Sequence, residues 1–266
     1  MNWEAVEWTI VGPAMIAGLL VLSTHVPLGQ VVLNRGIIFI DIAIAQVAGL
    51  GVIAASAFGW DESPLMVQVA AVSAALVAAA GLNWSEKRWP QTQEALIGTL
   101  FVLAATGSIL LLSENPHGGE HLKDLLVGQI LWTTWSMLIT IGILYAMLLT
   151  VWFTARDKLG HIGFYVTFAF VVTASVQVVG VYLVFASLIL PALATRRLHG
   201  TVRLWAGYAI GAVSYFAGII VSAILDFPTG AVVVWAMALV AVVAGTWIGK
   251  QTSSFSRRSI RVDSRG

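Results

Sequence analysis

Apolar residues run along this chain in blocks of about twenty, separated by short polar or turn-rich breaks. The blocks cover approximately 11–33, 36–58, 64–83, 92–113, 131–153, 162–177, 179–195, 204–224 and 229–249. The breaks include Asp61-Glu62-Ser63-Pro64, Asn83 to Thr92, Glu114 to Asp124, Arg156 to Gly160 and Arg196 to Arg203. Such blocks match helices crossing a hydrocarbon layer about 30 Å thick. The short alternating segments of an outer-membrane barrel are absent from the pattern. It predicts an all-α fold: a polytopic transmembrane helical bundle of about nine helices (eight to ten). The stretch 162–195 carries no charged residue. It fits one strongly tilted helix, a re-entrant excursion, or two short crossings turning near Val178, Val179 and Gly180.

Charge placement bears on that choice. Lys and Arg near membrane ends favour the cytoplasmic side. With the N-terminus outside, two crossings in 162–195 bring every Lys and Arg except Lys123 to the cytoplasmic side. Glu4, Glu7, Asp61, Glu62, Glu114, Glu120, Asp124 and Asp226 then lie outside. The expected arrangement is therefore nine helices, N-terminus outside and C-terminus inside. Residues 1–249 form the transmembrane domain, and 250–266 form a basic cytoplasmic tail without regular structure, able to meet anionic lipid. The N-terminus lacks the basic segment of a cleaved signal peptide, so the first apolar block is expected to be retained.

Composition narrows the function. Of the 266 residues, 59% are hydrophobic and 10% charged, too few charges to coat a water-soluble enzyme. Cysteine is absent, which excludes zinc fingers and thiolate-held clusters. No phosphate-binding, HExxH, GxSxG or dinucleotide motif occurs. Any ATP hydrolysis must belong to a partner, and the chain reads as a non-enzyme with no nucleic-acid partner.

The informative positions are polar residues inside apolar blocks. Asp41 lies in Gly36-Ile-Ile-Phe-Ile-Asp-Ile-Ala-Ile-Ala-Gln46. A carboxylate there costs several kcal/mol unless paired, hydrated or facing a cavity. It marks a cation path, or else a pair with Arg35 or a capped break in a discontinuous helix. Asp41 and Gln46 are five apart and do not share a helical face. Glu94 opens the fourth block, as a pathway acid or as ordinary first-turn chemistry. His25, Gln68 and Gln177 read as interhelical hydrogen-bonding groups. The break Glu114-Asn-Pro-His117-Gly-Gly-Glu120-His121-Leu-Lys-Asp124 concentrates imidazole and carboxylate, which suit zinc and related ions. His117-Gly-Gly argues against helix at that point, and a loop in which Asp124 caps the next helix is the alternative. Asp226-Phe-Pro-Thr-Gly230 is a tight connection; Asp226 either merely shapes the turn or binds cations at a pathway mouth. The metal-binding candidates are thus Asp41, Glu94, Asp226, His117, His121 and Glu120.

Several runs, in order, resemble the integral membrane subunit of the zinc/manganese/iron ABC uptake systems. They are Pro27-Leu28-Gly29, Arg35, Asp41 and Gly51-Val52; Glu94 with Ile97-Gly98; Asp124-Leu-Leu-Val-Gly128-Gln-Ile-Leu131; Val179-Gly180-Val181; Ser187-Leu-Ile-Leu-Pro191-Ala-Leu-Ala-Thr195-Arg196; and Asp226-Phe-Pro-Thr-Gly230. The resemblance implies a homodimeric permease in the inner (plasma) membrane. Cytoplasmic ATPase subunits would power it, and an extracytoplasmic metal-binding protein would deliver a divalent ion, zinc foremost. It also implies pathway roles for Asp41 and Glu94. No bound cofactor is implied; the metal is cargo. Two departures stand out. The family places His four residues after the Asp, where this chain has Ala45. The family's long cytoplasmic coupling segment is reduced here to Arg156-Asp-Lys-Leu-Gly-His161. The rival expectations are a non-transporting scaffold or sensor built on this fold, and ATP-independent metal transport.

Overall fold

The computed structural model describes residues 7–60, 63–113, 115 and 118–263, the side chains of 155–159 and 252–263 excepted. Among the described residues the chain is helical, without strands. Helices α1 (Trp8–Arg35), α2 (Ile40–Ala57), α3 (Pro64–Arg88) and α4 (Gln93–Leu112) are followed by a short α5 (Gly118–Val127). Then come α6 (Trp135–Ala194), α7 (Gly200–Leu225) and α8 (Thr229–Asp263). Their ends have local causes. Gly36 takes a left-handed conformation (φ 73°) and its N–H bonds the Leu33 carbonyl, closing α1. Pro64 starts α3 in its first turn, where no amide donor is needed.

Eight stretches are long and apolar enough to cross a membrane, Gly160–Ala194 counted as one. That stretch does not run straight. Within α6, Gly160 (φ 55°, ψ −146°) and Gly180 (φ 78°, ψ 163°) leave helical geometry, dividing it into α6a (135–159), α6b (161–179) and α6c (181–194). Arg35 lies 4.3 Å over the Phe164 ring, and Gly29 abuts the Leu188 backbone. In a straight helix Phe164 and Leu188 would be about 36 Å apart, whereas Arg35 and Gly29 are only about 9 Å apart along α1. The chain therefore doubles back at Gly180, the turn expected near Val178–Gly180. Among the described residues the bundle thus has eight candidate spans, the sixth folding back on itself at Gly180.

Glycines pin that reversal. Gly128 (φ 73°) and Gly180 lie backbone to backbone, so a Cβ on either would fall inside the other's main chain. Gly230 meets the Val127 carbonyl in the same way. We call this the Gly128 end of the bundle, and the opposite end, where α1 meets α2, the Arg35 end.

α1 packs along α6 and α7, while α2 packs against α3, α4 and α6. Gly18, Leu22 and Val26 of α1 meet Tyr215, Gly211 and Gly207 of antiparallel α7, the close approach that small residues permit in lipid. α6a and α6b form an antiparallel hairpin through Trp152–Phe164 ring contact and a Tyr145–Ser175 hydroxyl pair. α8 keeps helical backbone to Asp263, into the tail expected to lack regular structure. No Gly or Pro interrupts residues 250–263, so nothing local forces the helix to stop.

Candidate functional site

Asp41 stands in the first turn of α2 with no exposed surface. Among the described residues neither carboxylate oxygen has a side-chain partner; the backbone amides of its own turn, Asp41 and Ile42, are the donors that act on it. Its helix is enclosed on nearly every side: Ile40, Ala43, Ile44, Ala45, Gln46, Val47 and Ala48 are all buried. A helix apolar around its whole circumference belongs in a core, and in that core a carboxylate without a counter-charge is costly. The Gln46 Oε1 atom, one and a half turns on, is buried without a partner.

Glu94, at the start of α4, lies beside the same turn. Its Oε1 accepts the Ile38 backbone N–H at 2.7 Å, so it holds the segment leading into α2 and Asp41. Its Oε2 is buried without a partner. Glu94 lies in the first turn of its own helix and also fixes the turn that carries the other acid. Nearby, Gln93 bridges Ser85 (2.9 Å) and the Leu82 carbonyl (3.0 Å), tying α4 to α3. Glu86 pairs with His161 at 3.3 Å, and Arg203 donates to Asn34 at 3.2 Å. A cavity of about 430 Å³ opens here, lined by Asn34, Arg35, Trp152, His161 and Phe164 among others. Asp41 does not line it.

The Gly128 end holds a larger cavity of about 780 Å³ between α2, α3, α4, α5 and α6b. Its apolar wall includes Val52, Ile53, Leu125 and Val176. Its polar groups are Ser56, Asn115, His121, Asp124, Gln129, Thr173 and Gln177. His121 and Asp124 are three apart on α5 and so share a face. Thr173 and Gln177 are four apart on α6b. The Thr173 hydroxyl is buried and has no partner among the described residues.

The sequence-predicted set is therefore dispersed. Asp41 and Glu94 flank one turn near the Arg35 end. Asp226, exposed and left-handed (φ 55°), ends α7. Its turn is held by Ser222, whose hydroxyl bonds the Phe227 carbonyl (2.7 Å) and the Thr229 hydroxyl (2.6 Å). His117 lies outside the described residues. Gly118 and Gly119 are helical after all, placing Glu120, His121 and Asp124 within α5. Burial of Gly118 against Leu112 provides the packing that local propensity does not. Asp124 is thus inside a helix, not a cap. Of the two described candidates in this segment, His121 lines the cavity and Glu120 does not. Among the described residues, no three His, Asp or Glu side chains converge as a metal site. His25 bonds within its own helix, to the Val21 carbonyl at 2.9 Å, rather than across helices. Thr173, Gln129, Asn115 and Ser56 had not been singled out. The i, i+4 pair Thr173–Gln177 in an apolar block is the signal that marks them.

Comparison with known proteins follows the same outline. The sequence model of the ABC 3 transport family matches residues 7–172 and 157–247. A Haemophilus influenzae protein described as "Probable iron transport system membrane protein" is 26% identical over 251 residues, covering 85% of this chain and 87% of that protein. The structure of PsaBC from Streptococcus pneumoniae in complex with Fab superposes with a TM-score of 0.73 at 19% identity, covering 92% of this chain and 95% of the other. A metal-chelate type ABC transporter in an inward-facing conformation superposes with a TM-score of 0.65 at 14% identity, covering 95% and 90%. Both show a shared fold.

Proposed function

This chain belongs to the ABC 3 transport family, and from that premise we propose that it is the membrane permease subunit of an ATP-driven importer of divalent metal ions. The observation that carries the reading is Asp41: a carboxylate wholly buried in α2, with no side-chain partner or counter-charge among the described residues. A purely structural carboxylate at this depth would be expected to pair with an arginine. One held only by the amides of its own turn, with no counter-charge, suits a passing cation.

In this reading two copies associate and an extracytoplasmic metal-binding protein delivers cargo at the Gly128 end. The ion passes the Asp41 level, and cytoplasmic ATPase subunits act at the Arg35 end. That end carries Arg35, Lys87, Arg88, Arg196, Arg197 and Arg203 near its helix termini, as expected of the cytoplasmic side of an inner membrane. The side chains of this chain bind, orient and gate, and ATP drives the change between states from outside. Oxygen and imidazole donors without thiolates suit zinc, manganese and ferrous iron; zinc is our first choice. The iron named for the Haemophilus protein makes iron the essential comparison.

The test is uptake of each of the three metals by cells making the transporter with wild-type chain or with Asp41→Asn. We expect saturable, energy-dependent uptake of at least one metal, sharply reduced in the variant. Equal uptake by both would remove Asp41 from the pathway. A second reading, a scaffold or sensor, draws support from the α6a–α6b connection. There a single glycine break separates two helices, with no independent coupling helix between them. Failure of any ATPase subunit to co-purify under mild extraction would favour it.

A further inference from the structure

Most basic side chains at the Arg35 end are exposed, Lys87, Arg88, Arg196 and Arg197 among them. Arg35 is set differently. It is half-buried, its guanidinium lies 4.3 Å over the Phe164 ring, and its Nη1 atom is buried without a partner among the described residues. No described carboxylate neutralises it: Glu86 is engaged by His161 at 3.3 Å, and Glu94 by the Ile38 amide. A guanidinium drawn out of water without a counter-charge is a cost that nothing in the described chain offsets.

Arg35 lines the cavity of about 430 Å³ between α1, α6a and α6b, together with Asn34. Arg203 of α7 donates to the Asn34 Oδ1 at 3.2 Å, which leaves the Asn34 Nδ2 group as the free end of that amide, a donor. With His161 turned to Glu86, the cavity offers a guanidinium and an amide donor but no described acid. The adjoining connection 155–159 brings Arg156 and Lys158 against Asp157 by sequence, so it adds positive charge on balance. Such a field repels a metal cation and attracts an anion. The planar fork of arginine matches the oxygens of a phosphate group.

The rest of the wall is apolar: Val31, Trp152 and Phe164. All three lie close to the ends of their membrane spans, Trp8–Arg35, Trp135–Thr154 and Gly160–Ala194. The cavity therefore stands at the level of the lipid headgroups, where tryptophan is favoured. One of its walls, α6a, is a lipid-facing helix, with Val151 and Phe153 exposed on either side of Trp152. The volume falls in the range of small-molecule sites, roughly 300–1,000 Å³. A free phosphate ion would leave the apolar wall unused. A phospholipid covers it with glycerol and the first methylenes while its phosphodiester meets Arg35.

We propose that this cavity holds the headgroup of an anionic phospholipid, the Arg35 guanidinium and the Asn34 amide donating to its phosphodiester oxygens. The site lies outside the ion route of the transport reading and does not depend on it.

The full-length chain is purified in detergent carrying equal amounts of phosphatidylglycerol and phosphatidylcholine, and the lipid retained is counted by native mass spectrometry. We expect one phosphatidylglycerol per chain, preferred about tenfold over phosphatidylcholine, the size of effect that one or two cationic contacts give. Arg35→Gln should abolish the preference. Arg88→Gln, at an exposed position of the same end, should keep it. If Arg35→Gln does not fold, Val31→Phe fills the cavity with every charge retained and should lose the lipid as well. Excess inorganic phosphate should not displace the bound lipid. Equal retention of the two lipids, or a preference that survives Arg35→Gln or Val31→Phe, would overturn the proposal. So would displacement by inorganic phosphate, which would make this a site for a free anion.

Discussion

The central and peripheral helices of this bundle are equally apolar in sequence and opposite in role. Within the most apolar windows, 61% of α1, 61% of α2 and 72% of the α6b–α6c stretch are buried, against 17% of α4, 17% of α6a and 22% of α8. Lipid is as apolar as leucine, so hydrophobicity cannot tell which helices go inside. What separates the two groups is backbone approach and polar content. Gly18, Gly29, Gly128 and Gly180 meet neighbouring segments directly. Asp41, Gln46, Thr173 and His25 lie in central helices and are buried. The peripheral helices instead turn residues such as Leu103, Leu110, Leu239 and Val243 outward.

The sharpest break of that contrast is Gly180→Val. The position needs φ 78°, and a side chain would intrude on the Val127–Gly128 backbone. We expect a loss of about 4 kcal/mol or more, of the size that strain and backbone overlap produce, read as failure to recover folded protein in detergent. Gly81→Ala in peripheral α3, where a Cβ meets nothing within 4 Å, should leave the melting temperature unchanged or slightly raised.

Asp41→Asn separates function from stability within the core. The amide keeps the shape and removes a buried ionisable group, so the melting temperature should hold or rise. Metal uptake should fall about a hundredfold, equivalent to about 2.7 kcal/mol of lost pathway stabilisation. Parallel loss of both would make Asp41 a structural residue.

Much of the architecture was legible because each crossing requires a long apolar run. The reversal at Gly180 could be suspected from an uncharged stretch too long for one straight span. Its fixing against Gly128 could not, since contact between residues 52 positions apart leaves no trace in local pattern. Polar positions were legible as candidates, Asp41 above all. Their grouping was not. Glu94 turns out to hold the Ile38 amide in the turn before α2. His121 faces a cavity only because α5 is helical where His117-Gly-Gly suggested loop. Asp226 shapes a turn. Residue type shows which groups are costly in lipid; only tertiary placement shows what each one answers to.

Glu94 offers an intermediate effect. Removing its side chain strands the Ile38 amide and loosens the turn that carries Asp41. A hydrogen bond to a charged acceptor contributes about 1.5–3 kcal/mol, so Glu94→Ala should lower stability by about that much, measured by thermal unfolding. Glu94→Gln keeps an acceptor oxygen and should recover most of it. If both variants instead keep full stability but lose uptake, Glu94 acts on the ion and not on the turn.

The smallest effect tests whether central polar pairs add stability at all. Tyr215 of α7 reaches the Ser187 hydroxyl of α6c at 2.8 Å, while Ser187 also donates to the Leu183 carbonyl at 2.6 Å. Tyr215→Phe therefore leaves Ser187 satisfied and removes one interhelical bond, and such bonds average about 0.6 kcal/mol in membrane bundles. We expect a loss of that order in thermal unfolding, and none for Leu110→Ala on the outward face of α4, where Leu110 is 73% exposed and lipid replaces the missing side chain. If Leu110→Ala proves the more damaging of the two, the outward face of α4 is covered in the assembled protein. The division into centre and periphery would then belong to one subunit rather than to the transporter.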